Sequence, residues 1–596
     1  MRRPNTLKFR IQNFHPLFLS LSVLALAWTL PFLQWRHQAP IPSFYTEWLA
    51  FSLGLIALLP LLSRQHWQPL VLPRTLLFVL GFPLILILQV TLNMVPYPQQ
   101  ALVGAQYFLW AAFLLWLGNR LGEALGLERI ANVLAWALLL GAVLSCGIAL
   151  LQQFGLHTPL DPWANRKVSS AVLANLGQPN HLANYLMLGL ASLLYLVASA
   201  RVVPWLGVLF ALLLVLVLAL TGSRASWLYL GALLVLAWWW SRPVGAAARR
   251  LFFMALFLLP AFAAAQWLAH LPFMQGLSGV VTPTERLFDL ANGIEVRLAL
   301  WREAWLMLTA HPWLGVGFGQ FAWHNFLLAS AGPTLLVGSV FNHSHNLLAQ
   351  IGAEFGVAGL FLIFLGGGLW LWGCMHRPRT LAGWWVAALL AVLGIHSLLE
   401  YPLWYANFLG IAAILIGATE AHMHRLRLGS VLHVAFGLML LLSAVACLRI
   451  LNAYQQLEGL LQQRQVKMSP QDMDRVLQQV RLESLLAPYS DFAYALSIAP
   501  NRELIQEKIA LSAQVMRFAP TQELVYRHAL LLGLQGEGAA AQAMLKRALL
   551  VYPAGAGSFF QAWARLDSES RKQSEALATT VQIFLQERKQ DAIHTK

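Results

Sequence analysis

The chain predicts an all-α polytopic membrane protein: a helix bundle of about thirteen spans with a large outward loop and an outward α-helical C-terminal domain. Three observations carry this. The 596 residues are 58% hydrophobic and only 11% charged, with a mean hydropathy of +0.61, a composition that belongs to polytopic membrane proteins more than to soluble ones. Apolar stretches of roughly 17–25 residues, the length that crosses a bilayer, recur through the first 449 residues. The basic residues fall between those stretches with alternating density, as orientation in a membrane requires.

The elements follow in order. Arg2, Arg3, Lys8 and Arg10 precede the first apolar run, and no cleavage motif follows it, so the start reads as an uncleaved span with a cytoplasmic N-terminus. Spans are placed at 16–33, 44–62, 75–93, 101–118, 131–154, 181–199, 203–221, 225–240, 251–269, 346–373, 381–399, 404–420 and 431–449. With the N-terminus inside, the inward segments 1–15, 63–74, 119–130, 200–202, 241–250, 374–380 and 421–430 hold sixteen Lys and Arg. The short outward loops 34–43, 94–100, 155–180, 222–224 and 400–403 hold four. That is the positive-inside bias, with one sign along the whole chain. An odd number of spans leaves the C-terminal region outside.

Two large outward pieces remain, the loop 270–345 and the tail, so the expected division is a membrane domain 1–449 and a helical domain 450–596. The tail holds 16 basic and 14 acidic residues in amphipathic segments. Phe518-Ala519-Pro520 and Val551-Tyr552-Pro553 stand 33 residues apart, a spacing shared by a tetratricopeptide unit and by an irregular helical domain. The net charge of +15 does not indicate a nucleic-acid partner, because the basic residues punctuate spans instead of clustering on a soluble face. Cys146, Cys374 and Cys447 lie in or beside spans and form no disulfide or metal spacing.

Polar residues gather only outside or at outward span ends. They are Gly177-Gln178-Pro179-Asn180-His181, Thr221-Gly222-Ser223-Arg224-Ala225-Ser226, the loop with Arg297 and Arg302, Phe341-Asn342-His343-Ser344-His345-Asn346, and Glu400-Tyr401-Pro402-Leu403-Trp404-Tyr405. A transporter would place such groups near mid-membrane. A site on one face suits an enzyme that meets a lipid-anchored substrate at the interface.

Ser344 is placed as the N-cap of the helix that follows. Asn346, Gln350 and Glu354 then form a polar stripe, and Ala349, Gly352, Gly356 and Gly359 a small-residue stripe against which another helix can pack closely. The imidazoles of His343 and His345 sit at the positive end of that helix, where an anion is also favoured. Three readings stay open for them: a metal pair without a third ligand at convincing spacing, hydrogen bonding at the cap, or proton transfer near neutral pH. Arg224 is either a snorkelling anchor or a phosphate ligand. Arg297 and Trp301 share a face of an amphipathic segment that lies in the interface, binds phosphate, or both. The guanidinium fork matches phosphate oxygens. Gln178, Asn180 and His181 follow from turn chemistry only in part, and can orient a sugar or hydroxyl acceptor. Glu400 at a span end is costly without a function, and Tyr401 can donate to a phosphate or sugar.

His-Ser-His-Asn ahead of an apolar helix, preceded by His311-Pro312-Trp313-Leu314-Gly315-Val316-Gly317-Phe318-Gly319, resembles the O-antigen ligase and polymerase superfamily. Gly-Gln-Pro-Asn-His at 177–181, Glu-Tyr-Pro-Leu-Trp at 400–404 and the outward tail narrow the resemblance to bacterial protein O-oligosaccharyltransferases, the pilin-glycosylation ligases. It covers roughly 165–596. It implies an inner-membrane enzyme with its site and C-terminal domain in the periplasm. Such an enzyme moves a preassembled glycan from undecaprenyl pyrophosphate to Ser or Thr hydroxyls of pilin or other periplasmic proteins. It implies no metal and no cofactor. It assigns His345 as base, Gln178 and Tyr401 as catalytic partners, and Arg224 and Arg297 as diphosphate ligands. His343, Asn346, Asn180, His181 and Glu400 complete the expected substrate-binding set. The competing expectations are transfer to lipid A core, as in an O-antigen ligase, transport of a lipid-linked glycan, and a membrane-anchored interaction protein.

Overall fold

The structure is a computed structural model describing residues 16–167, 170–242, 245–276, 279–288, 294–329, 340–427, 429–463 and 469–594; Arg2, Arg3, Lys8 and Arg10 lie outside them. The chain is an all-α polytopic membrane protein with one two-stranded ribbon among the described residues.

The membrane part is built from α1 (Leu17–Ala27), α2 (Leu30–Leu33), α3 (Phe44–Leu58), α4 (Arg74–Thr91), α5 (Pro98–Leu125), α6 (Leu127–Phe154), α7 (Pro179–Ala198), α8 (Pro204–Leu220), α9 (Ala225–Ser241) and α10 (Ala246–Ala269). Short helices α11 (Pro283–Phe288), α12 (Ile294–Ala310) and α13 (Phe321–Ala329) fold the large loop. Then come α14 (Leu347–Met375), α15 (Leu381–Ser397), α16 (Ala406–Thr419) and α17 (Gly429–Gln463). Among the described residues eight helices are long and apolar enough to cross a membrane, and five shorter apolar helices occupy the other predicted span positions.

Packing explains which helices sit at the centre. Pro179 at the first turn of α7 presets its φ. The helix is then buried on nearly every side. Two of its polar residues find partners inside the bundle: Tyr185 donates to Trp28 O at 2.8 Å and stacks on Phe32 at 3.8 Å, and Ser192 accepts from Trp385 Nε1 at 3.0 Å. Between α5 and α16 the backbones touch. A Cβ at Gly417 would lie 1.8 Å from Leu115 O, and one at Gly118 2.3 Å from Ile414 O, so only glycine permits this approach.

Segments expected on one side gather at one end. At one pole β1 (Leu70–Pro73) pairs antiparallel with β2 (Met423–Leu426), joining two predicted inward segments. At the other pole the tail docks on loops predicted to face outward. Tyr97 donates to Asp491 at 3.2 Å, Gln514 to Pro96 O at 3.1 Å and Arg517 to Met94 O at 2.9 Å.

The tail is helical: α18 (Pro470–Glu483), α19 (Ala487–Ser497), α20 (Ile505–Phe518), α21 (Gln522–Gln535), α22 (Gly538–Val551), α23 (Ala556–Ala564), α24 (Ser568–Gln573) and α25 (Glu575–His594). The two spaced landmarks meet, Tyr552 donating to Pro520 O at 2.6 Å. α17 runs unbroken through the expected boundary at 449/450. α13 lies between two cores: Phe321 packs with Leu300, Ala304, Met307 and Ala353, whereas Phe326 packs with Leu524, Leu549 and Tyr552 of the tail.

Candidate active site

The site forms where the start of α7, the end of α15 and the start of α16 meet α12 and the start of α14. Glu400, in the turn after α15, is 3% exposed. It is the hub. Its Oε1 accepts from Asn180 Nδ2 at 2.9 Å and from Arg297 Nη2 at 3.0 Å, and its Oε2 meets His345 Nδ1 at 2.8 Å. Burial alone pushes this carboxyl up, but the hydrogen bond from His345 and the positive charge of Arg297 outweigh it and hold Glu400 at about 2. An ionised carboxylate only accepts, so His345 Nδ1 donates and Nε2 carries the free lone pair.

The aromatic residues form the second wall. The His343 ring lies 3.6 Å from Tyr401 and 4.0 Å from His345. Burial, with His345 adding to it, lowers His343 to about 3, which keeps it neutral. Burial raises Tyr401, whose hydroxyl accepts from Tyr405 at 3.4 Å. His181 stands edge-on to Tyr405 at 4.8 Å and to His396 at 5.6 Å. His396 in turn bonds Tyr229 of α9 through Nδ1 at 2.7 Å.

The loop that carries His345 is strained and held. His345 has φ +53°, a left-handed conformation that a non-glycine residue adopts only when its surroundings impose it. The surroundings are visible. Ser344 N donates to Gln350 Oε1 at 2.7 Å, Trp301 Nε1 donates to Ser344 O at 3.1 Å, and Phe341 N donates to Asn325 Oδ1 at 2.8 Å.

Several expectations are corrected here. Asn346, not Ser344, caps α14: Asn346 Oδ1 accepts from Leu348 N and Ala349 N, while Ser344 Oγ turns back to Asn346 O. The reason is the left-handed turn at His345, which moves the start of the helix two residues on. Asn346 Nδ2 donates to Leu398 O, so both ends of the side chain contact the backbone. Glu400 has a protein partner on each oxygen. The stripe of Gln350 and Glu354 is buried, with Glu354 Oε1 accepting from Phe321 N at 3.3 Å. At Gly356 a loop, not a helix, makes the close approach. Gly356 has φ +65°, and a Cβ there would lie 2.6 Å from Pro312 O.

Of the other expected residues, Arg297 is joined to the hub and keeps 27% of its side chain exposed. Gln178 is the N-cap residue of α7, two positions from Asn180, with no side-chain hydrogen bond to the hub among the described residues. Arg224 is half-buried at the N-cap position of α9, the helix that carries Tyr229. Among the described residues no three His, Cys, Asp or Glu gather to hold a metal. Sequence reasoning missed Asn325, Glu303, Tyr229 and His396. Only His396, ionisable within an apolar span, carried a signal.

Comparison with known proteins adds the relationship. The sequence model described as O-antigen ligase matches residues 208–364, that of a virulence factor membrane-bound polymerase, C-terminal, matches 384–566, and that of a protein glycosylation ligase matches 172–197. The chain is 27% identical over 424 residues to a general O-oligosaccharyltransferase of Acinetobacter baylyi, covering 69% of this chain and 71% of the relative. It is 23% identical over 383 residues to a ComP-specific O-oligosaccharyltransferase of the same organism, covering 63% and 66%.

Proposed function

The chain belongs to the O-antigen ligase superfamily, and we propose that it is a metal-independent protein O-oligosaccharyltransferase. It moves a preassembled glycan en bloc from undecaprenyl pyrophosphate to a Ser or Thr hydroxyl of pilin or another periplasmic protein. The carrying observation is the Glu400 carboxylate shared between His345 and Arg297. It sets a base beside a cation that suits a diphosphate.

His345 Nε2 takes the acceptor hydroxyl proton as the oxygen attacks the anomeric carbon, and the bond from that carbon to the pyrophosphate oxygen breaks. A positioned base contributes about 10²–10⁴-fold. Glu400 fixes the imidazole tautomer and stabilises the imidazolium that forms. Arg297, joined by Arg224, stabilises the charge on the departing diphosphate. Tyr401 and Gln178 contact the donor or acceptor. His343, Asn180 and His181 shape the pocket wall.

The protein sits in the inner membrane of a bacterium with site and tail toward the periplasm. The loop-charge bias and the docking of the tail at the site's own end both favour this. The membrane domain is 1–449 and the helical C-terminal domain 450–596. The names of the two relatives favour a protein acceptor. The O-antigen ligase match favours the second reading, transfer to lipid A core. Mass spectrometry of periplasmic and pilus proteins, with and without this chain in a strain making lipid-linked oligosaccharide, decides between them. Glycosylated Ser or Thr is expected; glycan appearing only on lipid A core would replace the first reading by the second.

A further inference from the structure

We propose that Asn325 is a positioning residue that fixes the base-bearing loop and ties it to the C-terminal helices. The inference rests on His345 acting as the base. Asn325 is fully buried in α13, and its two ends face two elements. Oδ1 accepts from Phe341 N at 2.8 Å, two residues before His343. Nδ2 donates to Glu303 Oε2 of α12. A backbone N–H only donates and Glu303 Oε2 accepts, so Phe341 and Glu303 together set which way the Asn325 amide points. The amide oxygen is thereby committed to the loop.

The neighbouring residue supplies the second hold. Phe326 is fully buried among Leu524, Leu549 and Tyr552, with its ring 6.3 Å from that of Tyr552. Phe321, at the start of the same helix, belongs to the core of α12 and α14. α13 is therefore clamped by the tail on one side and by the membrane part on the other, and Asn325 passes that position to Phe341. The helix that carries Arg297 also carries Glu303 and Trp301, and Trp301 donates to Ser344 O. Base and cation thus share one support.

The strained turn at His345 gives this support a purpose. A left-handed histidine relaxes when its flanks loosen, and a displacement of about 1 Å at a reacting group costs on the order of 10²-fold in rate. The tail then contributes to the chemical step itself, separately from any capture of acceptor.

The test uses the full-length protein in proteoliposomes with lipid-linked oligosaccharide and a purified acceptor protein. The variants are Asn325→Leu, Glu303→Leu, Glu303→Gln and His345→Gln. Asn325→Leu and Glu303→Leu are expected to lower kcat by about 10²-fold with KM for donor within about twofold. Glu303→Gln is expected to recover most of the loss, because its amide oxygen still accepts from Asn325. A kcat within about twofold of wild type for Asn325→Leu overturns the proposal. So does a Glu303→Gln variant as slow as Glu303→Leu. If Asn325→Leu fails to insert, the Glu303 pair decides alone. His345→Gln run in parallel separates the two levels: normal Asn325→Leu beside inactive His345→Gln sinks only this inference, whereas active His345→Gln sinks the base assignment beneath it.

Discussion

His345 Nδ1 lies 2.8 Å from Glu400 Oε2, and Arg297 Nη2 lies 3.0 Å from Glu400 Oε1. One carboxylate therefore couples the imidazole to the guanidinium, although the three residues stand far apart in the chain. Glu400→Gln should keep the shape, yet its amide can donate to His345 Nδ1 and reverse the tautomer. By analogy with an orienting carboxylate, kcat falls by about 10²–10⁴-fold. Single-turnover glycan transfer measures this, and an unchanged rate would remove Glu400 from the mechanism.

His345→Ala should abolish transfer while the protein still inserts and binds lipid donor, because the site loses its base and keeps its cations. Full transfer by this variant in a reconstituted assay would reassign the base. His343→Gln should be milder, since His343 is held neutral and packed against Tyr401.

Arg297→Ala and Arg224→Ala should weaken use of the lipid donor, with KM rising or kcat falling by an order of magnitude or more, about 1.4 kcal/mol per tenfold. Arg297→Lys should not restore it, since a point charge cannot make the forked contact. Unchanged donor affinity and rate would reduce both arginines to membrane anchors.

The acid stability of the fold should depend on Glu400. Although burial alone raises this carboxyl, its ion-paired value of about 2 lies below the ordinary 4.5. A depressed carboxylate stabilises fully above its unfolded value and loses that contribution as pH falls toward the folded value. The gap in thermal stability between wild type and Glu400→Gln should be constant above about pH 5 and should shrink below it. Thermal shift across pH 3–8 in detergent reads it, and a gap that widens in acid would contradict the ion pairing.

Gly356→Ala should destabilise the protein. Its φ of +65° with ψ of −160° suits glycine alone, and the new Cβ would meet Pro312 O and the Trp313 carbonyl at 2.6 Å. Such backbone conformations cost about 1–3 kcal/mol each for other residues, before the clash is counted. Unaltered melting and expression would show that the loop yields.

Much of this was legible in the sequence, for physical reasons. Spans announce themselves by length and apolarity, and each predicted position holds an apolar helix. Polar residues at outward span ends had to share one surface, and Asn180, His181, Arg297, His343, His345, Glu400 and Tyr401 do meet there. What stayed hidden depends on backbone geometry or distant partners. Ser344 looked like the cap because nothing in His345 announces a left-handed turn. The Glu400 network stayed hidden because its partners lie 55, 103 and 220 residues away. Asn325 and Glu303 looked like ordinary polar loop residues, since the pairing that gives them meaning is tertiary.

α7 is wrapped by protein on nearly every side, and α15 supplies part of the wrapping through Trp385. Ribosomes deliver residues 381–397 long after 179–198, so for most of its synthesis α7 lacks a neighbour that its serine was shaped to meet. The nascent helix must either linger beside the insertion machinery or face hydrocarbon with Asn184 and Ser192 uncovered. Biogenesis, as much as chemistry, then sets which substitutions in this pillar the cell will tolerate.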